Sequence, residues 1–107
     1  MTTLATTYRK NGYDFRQVRR TGEVAVYAQH DDSGAVMAYE AFIVQYSAER
    51  VIAGKTIPAG ERTPSNEQWG QLGYTFKKLD DAARYEEILQ ERIDRRTSHK
   101  RMSNAVI

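Results

Sequence analysis

Few side chains in this sequence could carry covalent chemistry, and their spacing assigns most of them to other work. His30-Asp31-Asp32 sets an imidazole beside two carboxylates, the groups from which metal or acid–base sites are made. A metal site needs three or four converging ligands, whereas neighbours in a turn point apart. No second His or Glu is tied to this cluster by spacing, and Asp-Asp-Ser-Gly is turn composition, so a plain turn is expected. Cys is absent, which excludes a thiol nucleophile, a disulfide framework and a cysteine zinc site. Ser33 and Ser65 lack the flanking glycines of a nucleophile elbow. Asp80-Asp81 is explained by the dipole at a helix start. Gly54, Gly60, Gly70 and Gly73 are not spaced as a phosphate loop, since none precedes a Lys-Ser/Thr pair opening a helix. The expectation is a protein that is not an enzyme, with no metal and no cofactor.

Binding chemistry is better represented. Tyr8, Tyr13, Phe15, Tyr27, Tyr39, Phe42, Tyr46, Trp69, Tyr74 and Phe76 are many aromatics for a small sheet. Most belong in a core, yet Tyr beside Arg on an open face could stack bases or anchor a protein interface. Charge is also unevenly placed. Residues 1–22 carry five basic and one acidic side chain, residues 23–91 six and twelve, and residues 92–107 five and one. The basic ends either complement the acidic middle internally or gather on one face toward an acidic partner. The binding candidates are Arg9, Lys10, Arg16, Arg19, Arg20, Tyr27, Tyr46 and Trp69.

The elements that must position them are short strands and one helix. Asn11-Gly12 predicts a tight hairpin, because both residues tolerate the positive φ of a type I′ turn. A strand is expected from Tyr13 to about Arg19, a turn at Thr21-Gly22, and a two-faced strand over 23–29. The stretch from Val36 to Ser47 reads as the longest and most apolar strand, with Met37, Tyr39, Ala41 and Ile43 on one face and Phe42, Val44 and Tyr46 on the other. Short connections make the pairs antiparallel. Residues 48–60 are irregular, with a small hairpin turning near Ala53-Gly54. Thr63 or Ser65 caps a short helix that Gly70 ends. Residues 73–77 form one more strand.

The helix begins near Leu79. Ala82, Tyr85, Leu89 and Ile93 recur at helical spacing with Ile88 at the edge of the stripe, leaving Arg84, Glu86, Glu87 and Glu91 outward. Burying Leu89, Ile88 and Ile93 contributes roughly 1.5–3 kcal/mol each before entropy is subtracted. Beyond Ile93 the pattern decays. The expected fold is α+β: an antiparallel meander of four to five strands with a C-terminal helix on one face. The 48–73 connection wraps an edge or the second face.

The densest run of backbone-specifying residues is Thr63–Phe76, with Trp69 expected to pin the wrap to the sheet. Pro64-Ser65-Asn66-Glu67-Gln68-Trp69-Gly70, then Gly73-Tyr74-Thr75-Phe76 and Leu79-Asp80-Asp81-Ala82, resemble small uncharacterised proteins of phages and prophages. Tyr13–Arg20, 24–27 and 39–44 are similar too, so the resemblance covers about residues 8–90. It implies phage or mobile-element origin and a non-enzymatic accessory role: binding a host protein, conceivably inhibiting it, with a host defence component among the targets. The alternative is a nucleic-acid-binding module using the basic termini and exposed tyrosines.

At 107 residues, 40% hydrophobic and 28% charged, the chain has the size and balance of one soluble domain. Residues 1–96 are expected to form it, followed by a basic tail over 97–107. No run approaches a membrane span and the N-terminus lacks a signal-peptide core, so no membrane partner and a cytoplasmic location (the host's, if phage-encoded) are expected. Oligomeric state is left open.

Overall fold

The computed structural model describes residues 3–65 and 67–105, with side chains placed through residue 96. Strands β1 (Thr7–Lys10), β2 (Tyr13–Thr21), β3 (Val24–His30) and β4 (Val36–Ile43) form an antiparallel meander. Gly73–Phe76, the ninth strand of the chain, closes the sheet beside β4. The fold is therefore α+β, a five-stranded antiparallel sheet with one helix, α1 (Leu79–Ala105), packed on one face. Asn11 and Gly12 both have positive φ, as a two-residue β1–β2 turn requires. The next turn is one residue later than expected, at Gly22-Glu23, because β2 continues through Thr21 opposite Val24.

Central placement explains the apolarity of β3. Val24 through Ala28 are buried on both faces. Val26, with Ala41 of β4, faces Ala82 of the helix, while Ala25, Tyr27 and Phe42 face away. The long strand expected over 36–47 is interrupted. At Val44 the chain leaves the main sheet, its N–H donating to the Glu23 carbonyl at 2.7 Å. The chain then enters β5 (Gln45–Ser47), which pairs with the later strand β8 (Gly60–Arg62). Between them lies a hairpin of β6 (Arg50–Ile52) and β7 (Lys55–Ile57), turning on Ala53 and Gly54 at φ 53° and 77°.

The short helix expected after Thr63 is not formed by the described residues, Asn66 lying outside them. Instead residues 67–72 are successive turns. One arm of the expected capping box survives: the Ser65 N–H donates to Gln68 Oε1 at 2.9 Å. Gly70, at φ 94°, then aims the chain back toward the sheet. β9 (Gly73–Phe76) follows, and Gly73 sits so close that a Cβ there would lie 2.7 Å from Phe42 Cβ and 2.8 Å from Trp69 Cζ3. Trp69 thus pins this turn series to the sheet through Phe42, ring centroids 6.2 Å apart.

The helix corrects the expected stripe in two places. Ala82 and Leu89 are fully buried, but Ile88 is 40% exposed and Glu86 only 9%. Position 86 lies one turn from both Ala82 and Leu89, so it shares their face. There is no Gly or Pro after position 79 to stop the helix, and its backbone continues to Ala105, through most of the basic tail.

Candidate protein-binding surface

Where the candidate residues go is decided largely by one irregularity. The register of β2 on β3 shifts between Gln17 and Arg19, a bulge that leaves Val18 unpaired. Gln17 is opposite Tyr27, Arg19 opposite Val26 and Arg20 opposite Ala25. The bulge therefore sends Arg19 to the helix face and Arg20 to the opposite one. Arg19 Nε meets Glu86 Oε2 at 2.9 Å, and Thr21 Oγ1 donates to Glu86 Oε1 at 3.4 Å. Arg20 grips Glu61 with two bonds, of 2.5 and 2.7 Å. Glu61 also accepts the Leu4 N–H at 2.9 Å. These bonds, Arg20 first, hold the Glu61 carboxyl down at about 2.

Arg9 bridges Asp14 and Asp32, both at 2.9 Å, on the exposed β1 edge. Lys10 lines a small hollow with Glu40, Pro64 and Trp69, and Arg16 a shallow cleft with Tyr8 and Phe15. The basic residues of the N-terminal third thus do not form one patch, and Arg9, Arg19 and Arg20 are engaged by carboxylates of the same chain.

Tyr27 is corrected from surface to core. Its ring lies in a ladder of Tyr8, Phe15, Tyr27, Phe42 and Trp69 across the face opposite the helix, with Tyr8 and Phe15 stacked at 4.9 Å. This face is not open. Leu4 and Trp69 pack on it, and the Tyr27 hydroxyl donates to the Ala5 carbonyl at 2.6 Å. Burial pushes the Tyr8 and Tyr27 hydroxyls up, and the Glu40 carboxyl with them.

The His30–Gly34 cluster is a turn with its groups spoken for. Asp31 accepts from Ser33 N, Ser33 Oγ and Ala35 N, which lowers its pKa, and Asp32 belongs to Arg9. Among the described residues no three His, Asp or Glu side chains converge as metal ligands, and no helix is long and apolar enough to cross a membrane.

Large apolar side chains are exposed in several places, Val18 (46%), Val36 (44%) and Met37 (51%) on the main sheet among them, and the most exposed follow the break at Val44. Tyr46 is 58% exposed, Val51 68% and Ile52 52%. The hairpin carrying the last two packs on no other described strand and not on the helix. Beside Tyr46 a groove of about 440 Å³ runs between the sheet end and the helix, floored by Ile43, Leu72 and Ile93 and edged by Glu23, Arg92 and Arg96. Val51, Ile52 and the two arginines were not among the sequence candidates. Two consecutive apolar residues in a tight hairpin too short to bury both were the available signal for the first pair. No family model, curated protein or solved structure matches the chain.

Proposed function

We propose that this chain is a non-enzymatic binding protein of phage or mobile-element type that docks on a host protein through Tyr46 and the β6–β7 hairpin. The observation that carries this reading is the hairpin itself. A two-stranded ribbon is marginal in water, and this one holds Val51 and Ile52 in solvent with no element of its own chain behind them. Burial against a partner removes both costs together. Tyr46, four residues upstream of β6, is a further exposed side chain of a type favoured at interface centres. Inhibition follows where the surface occupied is one the host protein needs, a host defence component being one such target. The nucleic-acid alternative has less support, since Tyr27 is buried and Arg9, Arg19 and Arg20 already face carboxylates.

Affinity capture from lysates of plausible bacterial hosts tests the proposal, comparing the wild type with Val51→Asp/Ile52→Asp. The wild type is expected to retain a salt-tolerant partner, and the variant to bind it about thirtyfold more weakly with an unchanged circular dichroism spectrum. A variant that keeps the partner moves the docking surface elsewhere. Empty captures across hosts count against protein binding altogether.

A further inference from the structure

The groove beside Tyr46 combines two features that specify an occupant. Its floor is aliphatic, from Ile43, Leu72 and Ile93, and one rim is the helix, where Arg92 and Arg96 stand one turn apart. Arg92 is held in place: its Nη1 donates to the Gln71 carbonyl and to the Tyr85 hydroxyl, each at 3.2 Å, and the guanidinium lies 5.8 Å from the Tyr85 ring centroid. A guanidinium fixed through one nitrogen keeps further donors for a carboxylate. Arg95 is taken by Glu91, whereas Arg96 has no ion-pair partner among the described residues. Glu23 also lines the groove.

We propose that this groove receives an acidic segment of a partner protein, its apolar side chain seated on Ile43, Leu72 and Ile93 and its carboxylates on Arg92 and Arg96. The inference rests on the reading of the chain as a protein-binding module and names the chemistry of what it binds. Glu23, which also lines the groove, repels carboxylates, so the acidic residues of the segment belong with Arg92 and Arg96. The same carboxylate works against a phosphate backbone, and the aliphatic floor gives bases nothing to stack on beyond Tyr46. An acidic peptide with an apolar anchor therefore fits better than a nucleic acid.

The test uses the full chain and a short fluorescent peptide alternating Asp and Glu with Leu and Phe. A version with Lys in place of the acids and a single-stranded oligonucleotide run in parallel. Fluorescence anisotropy should show saturable binding of the acidic peptide alone. Methyl NMR shifts should centre on Ile43, Leu72 and Ile93. Arg96→Glu should weaken binding about tenfold or more, while Arg84→Glu, the same charge change at an exposed helix position away from the groove, stays within about twofold. Absence of saturable binding overturns the proposal, as does equal weakening by the two variants or preferential binding of the oligonucleotide. Failure here leaves the wider reading standing if a captured host protein is still lost with Val51→Asp/Ile52→Asp. Empty lysate captures with intact acidic-peptide binding would instead sink the host-protein reading and keep the groove.

Discussion

The two faces of the central sheet are covered by opposite kinds of chain. On one, a single continuous helix packs Ala82 against Val26 and Ala41, with Tyr39, Phe76 and Tyr85 around them, and buries Leu89. On the other, the N-terminal segment, β8 and the 67–72 turns meet around an aromatic ladder, with Tyr27–Ala5, Leu4–Glu61 and Arg20–Glu61 bonds among their ties. The helix face is held by apolar area from one local element. The aromatic face needs three distant pieces of chain to meet, and polar bonds set where they meet. A mutation on the first side should therefore act through lost burial, and on the second through lost fit or a lost bond.

Leu89→Asp gives the largest expected effect. Placing a carboxylate at a fully buried helix position should remove more than about 4 kcal/mol and unfold the domain. A soluble Leu89→Asp protein with a cooperative melt would show that the helix is not what holds the sheet. Gly73→Ala tests fit on the other face. Its Cβ would meet Phe42 Cβ at 2.7 Å, near rigid backbone, and about 1–3 kcal/mol should be lost with a shift in Trp69 fluorescence. An unchanged melting curve and spectrum would mean that the turn series is not seated tightly on the ladder.

The two neighbouring arginines sharpen the contrast. Glu61 binds Arg20 through both oxygens and also holds Leu4, so Glu61→Gln should cost about 1–2 kcal/mol at neutral pH. Its folded pKa of about 2 lies below the ordinary 4.5, so its contribution is full above pH 4.5 and is lost as pH falls toward 2. The wild type should lose stability through that window, and Glu61→Gln should show a flatter acid limb by denaturant titration. The smallest effect belongs to the helix side. Arg19 stays half-exposed, and Leu in place of the buried Glu86 recovers apolar contact, so Glu86→Leu should shift stability by less than about 1 kcal/mol either way. A loss as large as that from Glu61→Gln would make the two pairs equivalent.

The elements that could be read in advance are those whose cause lies within a few residues. Asn11-Gly12 and Ala53-Gly54 turn because of local φ preferences, and the helix starts at Leu79 after a break in the aromatic run. Glu86 turns inward because helical spacing puts it on the same stripe as Ala82 and Leu89, whereas its charge alone predicts an outward position. Strand β8 and the break at Val44 were not legible, since each exists only through a partner far along the chain. Of the binding candidates, Tyr46 is exposed and Trp69 half-buried, while Tyr27 is core. A tyrosine on a strand carries no mark of which face will be covered.

By itself, the sequence determined the α+β class, the antiparallel meander, the tight turns and the helix that docks on one face, because periodicity and turn chemistry act locally. It took the tertiary structure to set that a single bulge at Val18 turns Arg19, and not Arg20, to the helix face, that the aromatic face is closed, and that Tyr46, Val51 and Ile52 are left in solvent. The bulge depends on how β2 pairs with β3, and the closed face on contacts between segments tens of residues apart, which no local turn or periodicity signal specifies.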